Sequence, residues 1–150
     1  MRFFYFKISP IHRRFTLGRG ERLKSRKQIE RVFRAGKRLH VFPYMVYYVI
    51  EPPEGGPGQA GNVGKGRPGL QAGFGASKRN FKKAVDRNRI KRLTREAYRL
   101  QKEPLALWVE ERRLSLCLFF IYTGKELPDH RLVSGRIAVA LEKIAKEIGS

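Results

Sequence analysis

From Ser77 to Arg99 the chain reads SKRNFKKAVDRNRIKRLTREAYR, ten cations against two acids, Asp86 and Glu96. Residue types in that proportion suit one task, holding a polyanion. A guanidinium presents a planar fork of donors that matches phosphate oxygens two at a time. Asn88, set among Arg87, Arg89, Lys91 and Arg92, adds a neutral donor and acceptor able to read a base edge or a 2′-hydroxyl. On a helix, like charges three or four positions apart repel, each pair by about 0.2–0.5 kcal/mol. A helix shaped by folding alone would not gather them, so an anionic partner is expected to offset the repulsion.

Other constellations do not form sites. Phosphodiester cleavage by side chains calls for clustered carboxylates that hold metal ions, or for a pair of histidines. The histidines here, His12, His40 and His130, are scattered, and no metal-ligand set is predicted. GNVGKGRPG (61–69) invites comparison with a phosphate-binding loop. Gln59, however, stands where the first glycine belongs, and Gly66 follows the lysine in place of Ser or Thr. The lone Cys117, inside LSLCLFFIY, reads as a small buried hydrophobe and excludes a disulfide within the chain, which fits a reducing cytoplasm.

Composition bounds the rest. The 150 residues carry a formal net charge of +20 with 41% hydrophobic residues. That is one domain with an ordinary core and a nucleic acid or anionic surface as partner. No stretch approaches the ~20 apolar residues of a membrane span. MRFFYFKISP has too short an apolar run for a signal peptide. Residues 1–14 read as an N-terminal extension, open to disorder, ahead of a single RNA-binding domain over 15–150.

The elements that must position the cations follow from periodicity. Ser25 and Gln28 form a capping box, Ile29, Val32 and Phe33 make an apolar stripe, and Gly36 stands at the C-cap, so a helix is predicted over 26–35. YMVYYVIE (44–51) is a strand. The Pro/Gly-rich stretch 52–69 is a flexible loop between strands. LQAGFGAS (70–77) is a weaker strand whose Gly73 and Gly75 leave one side bare for something to approach closely. The basic helix runs from about 84 to 102, with Ile90, Leu93, Ala97 and Leu100 as its core stripe. Asn88, Lys91, Arg92, Arg95 and Arg99 lie opposite, Arg87 and Tyr98 flank them, and Arg89 lies near the apolar edge. A buried strand covers 114–124, with Phe119 and Phe120 both expected mainly in the core. A last helix begins at Pro128-Asp129 and carries the stripe Val133, Ile137, Leu141, Ile144, Ile148. The predicted class is α+β, one mixed sheet with helices packed on it.

The block GFGASKRNFKKAVDRNRIKRLTREAYR resembles the signature of the bacterial ribonuclease P protein component. Ser77, Lys78, Arg79, Ala84, Val85, Arg87, Asn88, Arg89, Lys91, Arg92, Arg95 and Glu96 match it. RLKSRKQIERVFRAGKR resembles the family's first helix, with Ile29 where the family often has an aromatic. The resemblance implies a fold like the second domain of ribosomal protein S5, with a left-handed β-α-β crossover. It also implies the function of a non-catalytic protein subunit of an endoribonuclease that removes the 5′ leader of precursor tRNA. The RNA subunit would carry catalysis and hold the Mg2+, with one protein per RNA. Arg87, Asn88, Arg89, Lys91, Arg92, Arg95 and Arg99 would then contact the catalytic RNA. Phe33, Tyr47, Ser77, Lys78 and Arg79 would contact the single-stranded leader in a cleft between the first helix and the sheet. The alternative is a structural, ribosomal-type RNA-binding protein of the same fold.

Overall fold

The computed structural model describes residues 21–51 and 69–149. The expectations for the extension 1–14 and for the loop 52–68 lie outside the described residues. The elements in chain order are α1 (Arg26–Ala35), β1 (Lys37–Val41), β2 (Tyr44–Glu51), β3 (Gly69–Ala76), α2 (Ala84–Gln101), α3 (Glu103–Glu111), β4 (Ser115–Tyr122) and α4 (His130–Gly149). They form one mixed sheet of order β1-β2-β4-β3. β2 runs antiparallel to both β1 and β4, while β3 lies parallel to β4 and reaches it through α2 and α3. The predicted α+β class is the one observed. No helix among the described residues is long and apolar enough to cross a membrane.

Two elements were not expected. β1 (KRLHV) sets Leu39 and Val41 between polar residues, so only those two face the core. Lysine and arginine on such an edge strand also discourage pairing with other chains. α3 follows α2 after Lys102 alone, with Pro104 in its first turn. A proline there costs little, because the first turn's N–H groups have no partner inside the helix.

Alternation along the strands sorts the side chains into two layers. Tyr44, Val46 and Tyr48 of β2, Leu116, Leu118, Phe120 and Tyr122 of β4, and Leu70 and Ala72 of β3 face one way. They pack with Ile90, Ala97 and Tyr98 of α2, Leu105 and Val109 of α3, and Val133, Ile137, Ala140, Leu141 and Ile144 of α4. The other face carries Tyr47, Val49, Cys117 and Phe119 and packs against Leu23 and, from α1, Ile29, Val32 and Phe33. One face is thus closed by three helices, the other by a single short one.

Ser25 caps α1 as predicted, its hydroxyl accepting from the Gln28 N–H at 3.4 Å. Asp129 caps α4, accepting from the Leu132 N–H at 2.8 Å. Before α1, the Leu23 N–H donates to the Ala72 carbonyl at 2.9 Å, and Lys102 pairs with Glu21 at 3.0 Å. That segment covers the outer edge of β3.

The core also holds polar groups. The Thr94 hydroxyl spends its proton on the Ile90 carbonyl at 2.8 Å, so the Tyr44 hydroxyl, 2.7 Å away, donates to Thr94. Burial pushes the Tyr44 hydroxyl up to about 12. In the unfolded chain a tyrosine ionises near pH 10. The stabilisation is therefore complete below about pH 10 and lost as the pH rises through about 12, at roughly 1.4 kcal/mol for each pH step of one. Denaturant midpoints are expected to fall over that window by an amount equivalent to roughly 2–3 kcal/mol from Tyr44. Tyr44→Phe, measured across the same window, should lose that share of the slope. An unchanged slope would show that Tyr44 is not linked to unfolding.

Candidate nucleic-acid interface

α2 is rotated by roughly 60° from the sequence expectation, judged at ~100° per residue. Its buried residues are Ile90, Thr94, Ala97 and Tyr98. Leu100, predicted in the core stripe, is 44% exposed, and Tyr98, predicted at the edge of the basic arc, is fully buried. The cause is aromatic packing from the sheet. The Tyr98 ring sits 5.6 Å from Phe74 and 5.8 Å from Phe120, centroid to centroid. A ring of that area outweighs Leu100 in deciding which side turns inward. The Tyr98 hydroxyl has no hydrogen-bond partner among the described residues, and burial raises its pKa well above the usual value.

The rotation redistributes the predicted contacts. Asn88, Arg89 and Arg92 are exposed, while Lys91, Arg95 and Arg99 are half-buried. Arg89, expected beside the apolar stripe, is thus among the most outward of the cations. Arg99 is engaged by Glu96, whose carboxyl it holds below the usual carboxylate range. Arg87 does internal work as well. Its Nη1 donates to the Phe81 carbonyl at 2.8 Å and to the Lys82 carbonyl at 2.9 Å, fixing the turn that feeds the helix.

That turn is a compact loop at one end of the sheet. The Ser77 N–H donates to the Tyr122 carbonyl at 3.1 Å, and the Ser77 hydroxyl accepts from the Asn80 N–H at 3.3 Å. The Asn80 side chain donates to the carbonyls of Thr123 and Gly124 at 3.0 and 3.1 Å. With Phe81 buried as its anchor, the loop leaves Lys78, Arg79, Lys82 and Lys83 exposed. They lead into α2, whose outer face carries the next cations beyond Ala84, Val85 and Asp86.

The second surface lies under α1. Phe33 is 39% exposed and stands edge-on to Tyr47 at 4.8 Å and to Phe119 at 5.1 Å. Both predicted stacking residues therefore meet in one cluster. The third ring, Phe119, is a correction to the expectation that it shares the main core with Phe120. Adjacent strand residues point to opposite faces, so only one of the two could lie there. That alternation was the available signal. Phe119 also accounts for the bare side of β3. A Cβ on Gly73 would come within 2.6 Å of the Phe119 ring, and one on Gly75 within 3.2 Å. The group that approaches the glycines is this ring. Ile29, in the place where the resemblance has an aromatic, packs partly buried against the same cluster. Burial pushes the Cys117 thiol up, as suits an inert core position.

Among the described residues no three of His, Cys, Asp and Glu gather as a metal site. The arrangement offers binding surfaces, one cationic and one aromatic, on a common frame.

Known proteins match this frame. The family profile described as Ribonuclease P covers residues 17–130. A "Ribonuclease P protein component" of Porphyromonas gingivalis (strain ATCC 33277) is 35% identical over 138 residues, 91% of each chain. One of Desulfovibrio desulfuricans is 28% identical over 137 residues, 91% of this chain and 92% of the relative. The solved structure of the Staphylococcus aureus RNase P protein superposes with a TM-score of 0.58 at 20% identity, covering 84% of this chain and 95% of that one, and so shares its fold. On the profile and the full-length relatives, the chain belongs to the ribonuclease P protein family.

Proposed function

We propose that the chain is the RNA-binding protein subunit of ribonuclease P, assisting a catalytic RNA in removing the 5′ leader of precursor tRNA. The observation that carries this reading is the outer face of α2. There Arg89 and Arg92 are exposed, while Ile90, Ala97 and Tyr98 on the inner side are locked into the core. The frame is rigid and the cations are displayed, which suits recognition of phosphates on a folded RNA. Arg87, Asn88, Lys91, Arg95 and Arg99 extend that face, one protein to one RNA subunit.

The open aromatic cluster supplies a different contact. Phe33 and Tyr47 offer faces on which unpaired bases stack without regard to sequence. Ser77, Lys78 and Arg79 stand at the end of the same sheet and bring charge to the strand's phosphates. The leader is single-stranded and fits that combination. On this reading the Mg2+ required for cleavage is held by the RNA, and the chain's part is to bind and orient.

The test is reconstitution in vitro. The full chain, a bacterial ribonuclease P RNA and a precursor tRNA are combined at magnesium too low for the RNA alone. Cleavage at the leader junction is expected to appear with the chain and to be absent without either partner. Binding of the RNA with no gain in cleavage would favour a ribosomal-type structural role. Cleavage by the chain alone, surviving removal of contaminating RNA, would overturn the assignment of catalysis to RNA.

A further inference from the structure

The aromatic cleft does not end at Phe33. The strand registers lay out its floor row by row. One row runs Arg38, Tyr47, Phe119, Gly73 across β1, β2, β4 and β3. The next runs His40, Met45, Ile121, Gly75. Because Leu39 and Val41 face the three-helix core, Arg38 and His40 face the cleft side. Beyond them, at the tip of the β1–β2 turn, Phe42 is 64% exposed, and its ring lies 6.2 Å from the His40 ring, edge-on.

Arg38, His40 and Phe42 thus form a strip along the edge of the sheet, a cation followed by two rings. None of them belongs to the α2 face or to the cluster under α1. An isolated exposed phenylalanine needs no explanation. One that pairs with a second ring on the open side of the sheet, in line with an arginine, has the make-up of a single-strand binding surface. The surroundings fit a phosphate chain. The segments 77–83 and 123–129 meet at this end of the sheet through the bonds from the Asn80 side chain to the Thr123 and Gly124 carbonyls. They carry Lys78, Arg79, Lys82, Lys83 and Lys125 against Glu126 and Asp129. Asp129 is occupied as the cap of α4.

We propose that Arg38, His40 and Phe42 extend the leader site, holding further nucleotides of single-stranded RNA beyond those stacked on Phe33 and Tyr47. The proposal rests on the leader-cleft reading. Phe42 supplies a stacking face, His40 supports its ring from the side, and Arg38 contacts a leader phosphate between the two ring groups. The occupant is an unpaired RNA strand, because the rings need bases free of pairing to stack on and the arginine needs a phosphate within reach of the same strand.

The experiment measures affinity of the assembled protein–RNA complex for precursor tRNAs whose leaders grow one nucleotide at a time. The chains compared are wild type, Phe42→Ala, Phe42→Tyr, Arg38→Gln and Phe33→Leu. For Phe42→Ala, the ratio of wild-type to variant affinity should rise with leader length, reaching roughly 5- to 150-fold once the strand spans the tip. Phe42→Tyr keeps the ring and should restore the wild-type length dependence. Arg38→Gln should lower the magnitude of the salt slope by about 0.7 on the long leaders, the value for one single-strand phosphate contact. Melting temperature serves as the folding control. A Phe42→Ala ratio flat with leader length, together with an unchanged salt slope in Arg38→Gln, would overturn the extension. If Phe33→Leu also leaves precursor affinity unchanged, the leader-cleft reading fails with it. If Phe33→Leu loses affinity and the Phe42 and Arg38 variants do not, only the extension fails.

Discussion

Replacing Arg89, Arg92 and Arg95 together by alanine is expected to weaken binding of the RNA subunit severely while leaving the melting temperature unchanged or slightly raised. The two effects have opposite signs for a physical reason. Arg89–Arg92 and Arg92–Arg95 are spaced at i,i+3, where like charges oppose the helix by about 0.2–0.5 kcal/mol per pair. Alanine also has the better helix propensity. Arg89 and Arg92 are exposed and Arg95 is half-buried, so no core packing is lost. On the RNA side each lost phosphate contact lowers the magnitude of the salt slope by about 0.7–0.9, or roughly 2–3 for the three. The gap between wild type and variant should therefore narrow by roughly 20- to 40-fold as salt rises from about 50 to about 200 mM, since the lost term is the salt-sensitive one. Arg87→Ala provides the contrast. Its guanidinium holds the Phe81 and Lys82 carbonyls, so that variant should lose roughly 1–3 kcal/mol of stability as well as affinity. Equal salt slopes for wild type and the triple variant would show that α2 does not face the RNA.

Local chemistry in the sequence was a good guide where one short-range rule decided the outcome. Ser25 and Asp129 do at the helix ends what their types predict. Val133, Ile137, Leu141 and Ile144 are buried along one side of α4 as their spacing requires. Gly36 does stand at the C-cap of α1, but for a different reason. Its backbone is extended, at φ −80°, so no left-handed turn calls for glycine there. A side chain would instead meet the Val32 carbonyl at 2.3 Å and the Tyr48 carbonyl at 2.8 Å.

The sequence was a poorer guide where a distant partner decides. The helical wheel of α2 offers two apolar sides, one through Leu93 and Leu100 and one through Ala97 and Tyr98. The choice depends on Phe74 and Phe120, which lie on β3 and β4. β1 has five residues and shows only Leu39 and Val41 to the core, too little for a pattern to register. The bare side of β3 was legible as a vacancy, but its occupant, Phe119, lies 46 residues beyond Gly73 and becomes visible only through the parallel register. The cation face of the site was therefore readable from types and spacing. Its orientation, and the third ring of the cleft, depended on the assembled sheet.

That third ring shapes what is expected of the cleft. Phe33 and Tyr47 replaced by leucine, singly and together, should lower affinity for precursor tRNA in the assembled complex and leave affinity for mature tRNA alone. Mature tRNA has no leader to stack. Each lost base stack should cost ~1–3 kcal/mol, or roughly 5- to 150-fold. Leucine is the better replacement than alanine, because Phe33 packs in T-shaped contact with Tyr47 and Phe119 while part of it stays exposed. It keeps apolar contact with the cluster and removes only the aromatic face. The stability cost should then stay well below the ~3–5 kcal/mol of emptying a buried phenylalanine site. The double variant should lose less than the product of the two single losses if one base is shared between the rings, and the full product if each ring holds its own base. With centroids 4.8 Å apart and the rings nearly perpendicular, a single base cannot lie flat on both, so the full product is expected. The measurement is the precursor-to-mature affinity ratio beside the melting temperature for each variant. A ratio equal to wild type in stably folded variants would remove Phe33 and Tyr47 from the leader site.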